Sequence, residues 1–373
     1  MITLNFIGDI MLGRFVAERY AEGLYSLVSD EVLTRLSEAE FCIANLESPI
    51  VSCNSEDSLK FAANAELLEY FKWVDCFSLS NNHINDFGTQ GMTETIEALD
   101  CKEINHNGLY KDEYHPFLIE LNGEQIAVIT CADMMNYEFS DDCPYKTLRV
   151  NHPTEIEDCI KHYKAQGYFV ILYAHVGMLF TRFPNPVIRD FLHSMVDVGA
   201  DCIVTAHPHC LGGYEYYNER LIVYSLGDFL MDGASYRRRK AGVLKLKIIN
   251  GELNKWEIFP VQTTDGLQVC LPNEKTAKKM MEDFEYVSRK IKANSSKYLS
   301  FYKGQYRKEL LSHSWSTLRF EYHRRGMKGL LHTLSKRIGA VRSMAKRVVT
   351  DRSKMSYDAD AVSAKNVSIN DIR

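Results

Sequence analysis

Short apolar runs alternate with amphipathic stretches through the first part of the chain, and this alternation constrains the fold more than any other feature. The apolar runs have the lengths and the β-branched or aromatic content of strands, and they cover residues 4–7, 41–46, 76–80, 169–174 and 202–206. Amphipathic helical patterns cover residues 24–38, 90–99, 155–166 and 187–198. Strands that alternate with helices predict an α/β fold with a largely parallel central sheet.

Two Asn-Gly dipeptides, Asn122-Gly123 and Asn250-Gly251, each separate two apolar runs of strand length. The flanking runs are residues 117–121 and 125–129 in the first case, and residues 243–249 and 253–259 in the second. Asn-Gly favours a tight hairpin because both turn positions require a positive φ. We therefore predict two antiparallel hairpins, so that the sheets are mixed rather than purely parallel.

The composition of the 373 residues is that of a folded protein, with 46% hydrophobic and 25% charged residues. The formal net charge of -5 gives no reason to expect nucleic acid as a partner. The first residues lack the basic and apolar pattern of a leader, and no run of about 18 apolar residues occurs. We therefore expect a cytoplasmic protein without a signal peptide or a transmembrane helix. The 10 cysteines form no CxxC pair and several lie in apolar runs, which favours buried thiols over disulfides.

The character of the chain changes after about residue 264. We predict a first domain over residues 1–263, a helical and basic extension over residues 274–349, and a disordered tail over residues 350–373. Within the extension, the pattern at 327–349 is that of a basic amphipathic helix. Two interpretations stay open: its apolar stripe packs on the first domain, or it lies on an acidic partner or on the anionic inner face of the membrane.

Five of the predicted strands end in residues with side chains that can bind a metal ion. These residues are Asp9, Glu47, Asn82, His175, and the pair His207 and His209. In open α/β sheets, ligands bind outside the carboxyl ends of the strands, so we expect these side chains to converge. Carboxylate, carboxamide and imidazole ligands suit Mn, Zn, Fe or Mg, and such an ion lowers the pKa of water toward neutrality.

Each of these residues, taken singly, has a simpler explanation. Asp9 can cap the following helix, and Asn82 can form a turn. His175 can be a hydrogen-bonded histidine at a strand end. His207 and His209 point to the same side if their segment is extended, but one such pair is a weak signal. A shared polar or metal site accounts for all five strand ends together.

Five motifs around these residues occur in the order and spacing of one bacterial family. They are GDIMLGR at 8–14, NLESP at 45–49, SLSNNHINDFG at 78–88, AHPH at 206–209 and YSLGDF at 224–229. The chain thereby resembles the CapA, or poly-γ-glutamate capsule synthesis, family, a branch of the calcineurin-like metallophosphoesterase superfamily. The resemblance covers roughly residues 1 to 262 and does not extend to the C-terminal region.

The resemblance implies a layered α/β/β/α sandwich with a divalent metal ion at one edge. The residues that would line the metal site are Asp9, Glu47, Asn82, His175, His207 and His209. His83 would be the general acid for a leaving group, or would orient the substrate. Arg14 would hold an anionic group, such as a phosphate or a glutamate carboxylate, or would instead form a surface salt bridge.

Four positions depart from the patterns that the resemblance implies. Met11 stands where a standard metallophosphoesterase has a histidine, and the motif around Glu47 replaces the second aspartate motif of that superfamily. Both changes are usual in the CapA branch. Leu179 stands in place of an acidic residue, and Asp228 in place of an asparagine. Met11 and Leu179 favour a protein without catalysis, whereas the intact motifs Asn82-His83 and His207-Pro208-His209 favour an enzyme.

These features leave three functions open. The first is a capsule or exopolymer biosynthesis protein whose metal site hydrolyses a phosphoester, or an amide in an anionic polymer such as polyglutamate. The second is a non-catalytic accessory protein that binds an acidic polymer or capsule-synthesis partner proteins. The third is a general metal-dependent phosphatase or nucleotidase. We favour the first function.

Overall fold

The fold is given by a computed structural model that describes residues 1–23, 26–52, 60–133, 139–232, 235 and 237–350. Side chains are described as far as residue 323, within these ranges, and at residues 326–328 and 331. The predicted disordered tail lies outside the described residues, apart from Thr350 at the end of a helix.

The described residues form fourteen strands in two sheets. The strands are β1 (Ile2–Ile10), β2 (Phe41–Leu46), β3 (Cys76–Ser78), β4 (Asn105–Asn107), β5 (Phe117–Leu121), β6 (Glu124–Ala132), β7 (Phe169–His175), β8 (Cys202–Ala206), β9 (Tyr214–Tyr217), β10 (Arg220–Val223), β11 (Asp228–Leu230), β12 (Lys240–Ile249), β13 (Glu252–Thr263) and β14 (Val269–Cys270). The first sheet has the order β14-β13-β12-β1-β2-β3-β4, with β11 also paired to β1. The second sheet has the order β5-β6-β7-β8-β10-β9.

Seven α-helices lie among the described residues. They are α1 (Arg14–Ala21), α2 (Asp30–Leu36), α3 (Gly88–Cys101), α4 (Pro153–Ala165), α5 (Pro186–Val198), α6 (Glu274–Ala293) and α7 (Tyr298–Thr350). Short 3-10 helices span Ala65–Phe71, Asn82–Asn85 and Ser295–Lys297. The four predicted helical patterns of the first domain correspond to α2, α3, α4 and α5.

Buried apolar clusters separate four layers of secondary structure. The central cluster lies between the two sheets, where the rings of Phe6 on β1 and Tyr173 on β7 meet edge to face at 5.6 Å. A second cluster joins the outer face of the first sheet to α1, α2 and α3. A third cluster joins the outer face of the second sheet to α4, α5, α6 and the beginning of α7. The order helix, sheet, sheet, helix confirms the expected α/β/β/α sandwich.

Both sheets contain parallel and antiparallel pairs, as the two Asn-Gly turns predict. Asn122 and Gly123 have φ values of 54° and 78°, and Asn250 and Gly251 have φ values of 55° and 71°. Both turns therefore have positive φ at their two central positions, which is the geometry that matches the twist of a hairpin. The two antiparallel hairpins β5–β6 and β12–β13 are confirmed.

Of the helical pattern predicted at residues 24–38, residues 24 and 25 lie outside the described residues, and residues 26–29 are not helical, because α2 begins only at Asp30. Leu27 and Val28 are aligned with β14 instead. The backbone N–H of Val269 donates to the carbonyl of Leu27 at 2.8 Å, and that of Ser29 donates to the carbonyl of Val269 at 2.9 Å. These pairings satisfy the backbone of the apolar segment without a helix.

The cysteines agree with the expectation of thiols rather than disulfides, within the described residues. Nine cysteines lie in the described ranges, and all nine are free thiols, with Cys42, Cys76, Cys131 and Cys202 buried. None of the helices in the described part of the chain combines the length and the apolar character that crossing a bilayer requires.

The C-terminal helices begin as part of the sandwich. Val287 and Ile291 of α6 and Tyr298 and Tyr302 of α7 belong to the outer cluster of the second sheet. The predicted helix at 327–349 is the second part of α7, which is interrupted at Gly326 by a φ of 61°. Most side chains of 327–349 lie outside the described residues, so contact with a membrane stays a prediction, as does the domain boundary after residue 263.

Candidate metal centre

Strand β1 places Asp9 between two other polar side chains. In the parallel pairing with β2, Asp9 lies opposite Asn45, and in the parallel pairing with β11 it lies opposite Asp228. Strand β12 pairs with β1 only over residues 2–6, so β11 can pair with β1 farther along. Three residues that are far apart in sequence therefore meet near the carboxyl end of β1, where an open α/β sheet binds its ligands.

The second sheet contributes the histidines. Strand β7 ends at His175, and the chain turns after β8, where His207 and His209 have φ values of 97° and 55°. The expectation that an extended segment carries this pair is therefore wrong, because both residues lie in the left-handed region that L side chains rarely adopt. The turn, rather than strand alternation, brings the two imidazoles to the site.

Six buried residues form two adjacent groups that can hold a metal ion. The first group is Glu47, His175 and His207, and the second is Asp9, His209 and Asp228. Within each group the candidate ligand atoms lie within 4.8 Å of one another. The two groups adjoin, since His209 Nε2 lies 3.5 Å from Glu47 Oε1 and His175 Nδ1 lies 3.5 Å from Asp9 Oδ1.

Hydrogen bonds hold several of these side chains in place. Asp9 accepts one from the side-chain amide of Asn45 at 2.8 Å and one from the backbone N–H of His207 at 3.2 Å. His175 Nε2 lies 2.9 Å from Asn82 Oδ1 and 3.0 Å from His207 Nδ1. The structure therefore brings Asn82 into contact with the first group, together with the other predicted ligands.

Glu47 is the carboxylate of the two groups whose oxygens lack hydrogen-bond partners among the described residues. It is fully buried, and in the part of the chain that the structure describes neither of its carboxylate oxygens has a hydrogen-bond partner. The same holds for Nε2 of His207 in the same group. A buried carboxylate without a hydrogen bond is energetically costly, and a cation shared with an imidazole would satisfy both groups. The residues present therefore fit a divalent metal ion.

Burial controls the ionisation of these side chains. It raises the pKa of Glu47 well above its ordinary value, and the charge of Asp9 acts in the same direction. Burial also raises the pKa of Asp9 to about 6, against the opposing effect of His209. It lowers the pKa of His175 and of His207 well below the ordinary value, so both imidazoles are neutral near pH 7. Neutral imidazole is the form that binds metal ions.

The 3-10 helix Asn82–Asn85 presents His83 beside the first group. Asn81 caps this helix by accepting a hydrogen bond from the backbone N–H of His83 at 3.1 Å. Nδ1 of His83 lies 3.0 Å from Asp86 Oδ2, and its ring stacks on Phe61 with the ring centres 3.8 Å apart. The other ring nitrogen, Nε2, is directed toward the first ligand group and lies 3.9 Å from Oε1 of Glu47. Two contacts therefore fix the orientation of an imidazole that can transfer a proton.

Arg14 lies at the edge of this arrangement. Its guanidinium forms an ion pair with Asp232, in which Nε donates to Oδ2 at 3.1 Å and Nη2 donates to Oδ1. The guanidinium also lies 4.5 Å from the centre of the Phe61 ring, which stacks on His83. The salt bridge that the sequence left open is thus present, and an anionic group would have to compete with Asp232 for Arg14.

Sequence comparison identifies the family. The sequence model of the family described as "Bacterial capsule synthesis protein PGA_cap" matches residues 3–233. The chain belongs to this family. It is 26% identical over 275 residues to the PGA biosynthesis protein CapA of Bacillus subtilis (strain 168), a match that covers 70% of this chain and 71% of that protein. It is 25% identical over 281 residues to the capsule biosynthesis protein CapA of Bacillus anthracis, covering 71% and 68% of the two chains.

Solved structures give weaker likenesses. A hypothetical protein from Thermus thermophilus aligns with a TM-score of 0.45 and 14% identity, over 70% of this chain and 99% of that one. The NAD nucleotidase NadN of Haemophilus influenzae aligns with a TM-score of 0.41 and 14% identity, over 76% of this chain and 56% of that one.

Within this member of the capsule synthesis family, two of the departures noted in the sequence have a clear place. Met11 is buried, and its sulfur accepts a hydrogen bond from the backbone N–H of Gly13 at 3.1 Å. Leu179 is partly exposed in the loop that follows β7. Neither side chain belongs to the two candidate ligand groups.

Three further residues of the site, Asp228, Asn45 and Arg238, were not predicted from the sequence. Asp228 Oδ1 lies 2.7 Å from His209 Nδ1, and its Oδ2 accepts from Arg238 Nε at 3.2 Å. Although burial raises the pKa of Asp228, His209 and Arg238 lower it below its ordinary value. Asp228 and Asn45 lie in two of the family motifs, which could have identified them. Arg238 lies in no motif. Its contact with Asp228 depends on the path of the loop after β11, so no motif in the sequence could have identified it.

Proposed function

We propose that this protein is a metal-dependent hydrolase that acts in the synthesis of a capsule or exopolymer of the poly-γ-glutamate type. The observation that carries the proposal is the grouping of Glu47 with His175 and His207, in which both carboxylate oxygens of Glu47 and Nε2 of His207 are buried and lack hydrogen-bond partners in the described structure. Membership of the capsule synthesis family supports the biological role, and the name of the Bacillus subtilis relative supports the polymer.

Each of the two ligand groups would hold its own cation. Glu47, His175 and His207 would hold one divalent ion (Mn, Fe, Zn or Mg), with Asn82 at its side. The second group, which includes Asp9, can hold another. A bound ion supplies Lewis acidity toward a phosphoryl or carbonyl oxygen and toward the attacking water.

His83 would give a proton to the leaving group. Its Nδ1 faces the carboxylate of Asp86 at 3.0 Å, so the carboxylate can accept a hydrogen bond from Nδ1–H and orient the ring. Nε2 is then the atom that donates, and it is the nitrogen directed toward Glu47. The same role applies to an alkoxide leaving from a phosphoester and to an amine leaving from an amide.

Arg14 would bind negative charge on the substrate. Its side chain is 29% exposed, and it lies beside the ring that supports His83. A phosphate or a glutamate carboxylate can take the place of Asp232 by accepting two parallel hydrogen bonds from the guanidinium. This exchange would bring an anionic group next to the proton donor, which suits an acidic polymer.

A non-catalytic role is the second candidate, and Met11 is the observation that favours it. The sulfur of Met11 is occupied by the Gly13 backbone N–H, so this position adds no imidazole to the site. If the protein is non-catalytic, the same fold and the same two ligand groups would bind an acidic polymer or a capsule-synthesis partner without cleaving it.

The test measures metal content and turnover on the same samples. Wild type is purified beside Glu47→Ala and His207→Ala, reloaded with Mn, Fe, Zn or Mg, and assayed on bis(p-nitrophenyl) phosphate, p-nitrophenyl phosphate and poly-γ-glutamate. His162→Ala, at an exposed histidine of α4, is the matched control. We expect stoichiometric metal in wild type and in the control, and its loss together with turnover in the two site variants.

Three results would change the conclusion in different ways. Metal without turnover of any substrate would favour the binding protein. Turnover of simple phosphoesters without any action on the polymer would favour a general phosphatase. A wild type that stays metal-free after reloading would exclude the metal-dependent hydrolase.

A further inference from the structure

Two loops next to the candidate metal centre touch its ligands. In the loop after β7, the backbone N–H of Phe180 donates to the carbonyl of Pro208 at 2.8 Å, and the Phe180 ring lies 6.1 Å from the ring of His209. In the loop after β11, Arg238 donates to Asp228 at 3.2 Å. The guanidinium of Arg238 also lies 5.4 Å from the Phe180 ring, so the two loops meet each other beside the second ligand group.

Glu309 of α7 joins the same two loops through a buried ion-pair network. Its side chain is only 6% exposed. It accepts from Arg182 Nη2 at 2.8 Å and from Arg182 Nε at 3.1 Å. Arg237 donates to the Glu309 carboxylate as well, and to the Glu309 backbone carbonyl at 3.3 Å. Arg182 follows Phe180 by two residues, and Arg237 precedes Arg238, so one carboxylate holds both loops.

The next turns of α7 also contact the two loops, through other side chains. The ring of His313 stacks on Phe180 with the ring centres 4.0 Å apart and the planes 3° apart. The hydroxyls of Ser316 and Ser235 are 2.9 Å apart, and Arg239 lies 4.6 Å from the centre of the Phe320 ring. Positions 309, 313, 316 and 320 follow helical spacing, so they form one face of α7. That face covers the two loops along about three turns.

We propose that α7 forms a wall of the metal centre and that Glu309 is a positioning residue for the ligands His209 and Asp228. The inference rests on the metal site of the proposed function and extends it to a helix outside residues 3–233, the part that matches the family. Glu309 acts through the loops, because Arg182 and Arg237 lie between it and the residues that contact the ligands.

The physical basis is the rigidity of a fully paired buried network. A buried carboxylate with two guanidiniums satisfies its charge only in one geometry, and removal of one partner leaves uncompensated charge that drives local rearrangement. Residues that orient metal ligands typically change metal affinity by about 10- to 100-fold when mutated. Glu309 contacts the loops and not the ligands themselves, so we expect its substitution to lower the metal affinity by about 10-fold, the low end of that range.

The experiment compares Glu309→Gln and His313→Ala with Glu124→Gln in the full chain. Glu124 is a buried carboxylate that accepts hydrogen bonds from the backbone N–H groups of Asn250 and Gly251, away from α7. Mn²⁺ affinity is measured by calorimetric titration, and hydrogen–deuterium exchange is measured on the metal-free proteins. We expect both α7 variants to bind Mn²⁺ more weakly and to exchange faster at 176–183 and 207–212, and the control to do neither.

Two outcomes would overturn the proposal. One is exchange that rises equally throughout the domain, with no greater loss of Mn²⁺ affinity in Glu309→Gln than in the control. The other is an effect in Glu309→Gln that His313→Ala does not share, because charge repulsion from the two arginines would then explain it. If wild type binds no Mn²⁺, the proposed function fails separately, and the location of the faster exchange alone decides whether Glu309 positions the loops.

Discussion

The hydroxyl of Tyr173 on β7 donates a hydrogen bond of 2.6 Å to the backbone carbonyl of Ile7 on β1, and this bond joins the two sheets. Asp9 follows Ile7 by two residues, and His175 follows Tyr173 by two residues. The register between β1 and β2 shifts between Ile7 and Asp9, so the bond lies at an irregularity in the first sheet. This buried hydrogen bond therefore connects strands β1 and β7, which carry the candidate ligands Asp9 and His175.

Replacing Tyr173 by phenylalanine is expected to lower the free energy of unfolding by about 1–3 kcal/mol, because the buried carbonyl of Ile7 loses its partner. Chemical denaturation measures the effect. Tyr20→Phe is the control, since the hydroxyl of Tyr20 contacts Glu66 at the surface and its loss should cost less than about 0.5 kcal/mol. Equal effects of the two substitutions would show that the bond between the sheets contributes little.

Gly8→Ala is expected to disrupt the candidate metal centre through the backbone. A Cβ at Gly8 would lie 2.0 Å from the carbonyl oxygen of Gly227, the residue before Asp228, so β11 would have to move. We expect a loss of more than about 3 kcal/mol of stability, or insoluble protein. Gly304→Ala is the control, because a Cβ there meets no atom within 4 Å and alanine favours the helix by up to about 1 kcal/mol. Normal stability of Gly8→Ala would contradict the close approach of the two strands.

Glu47→Gln is expected to stabilise the metal-free protein by about 1–3 kcal/mol, because it removes the cost of burying an ionisable carboxyl group that has no hydrogen bond. In excess Mn²⁺ the order should reverse, since only wild type gains binding energy. Thermal unfolding with chelator and with Mn²⁺ measures both states. Glu124→Gln provides the opposite case: its carboxylate accepts hydrogen bonds from the backbone N–H groups of Asn250 and Gly251 and pairs with the N-terminal ammonium, so this change should destabilise the protein in both conditions. A metal-free Glu47→Gln that is less stable than wild type would contradict the prediction.

Stability in acid should depend on Glu215. Although burial raises the pKa of this carboxyl, hydrogen bonds from His193, Arg189 and Tyr224 lower it to about 2, from 4.5. A lowered pKa in the folded state gives stability that is present above about pH 4.5 and is lost as the pH falls toward 2. The contribution is on the order of 3 kcal/mol.

The measurement for Glu215 is the free energy of unfolding of wild type and Glu215→Gln between pH 7 and pH 2. We expect a large difference near neutral pH that shrinks in the acid range. Glu252→Gln, at an exposed carboxylate of the β12–β13 hairpin, should show a small difference throughout. A difference between wild type and Glu215→Gln that does not change with pH would refute the assignment.

Most candidate ligands could be predicted because each follows an apolar strand, and strand ends are readable from local periodicity. Asp9, Glu47 and His175 are placed this way, and the family motifs support the same positions. The turn after β8 could not be predicted, because positive φ values such as those of His207 and His209 are uncommon for L side chains and no glycine marks them in the sequence.

Alternating periodicity, turn chemistry and motif order were sufficient for the α/β class, the two hairpins, the family and most of the candidate ligand residues, since these depend on residues close together in the chain. The unpartnered oxygens of Glu47, the pairing of Asp228 with Asp9, and the contact of Glu309 with Arg182 could be found only in the folded molecule. The reason is physical: burial and hydrogen bonding at these positions depend on segments up to about two hundred residues apart, and no local pattern encodes which polar atoms those segments leave unsatisfied.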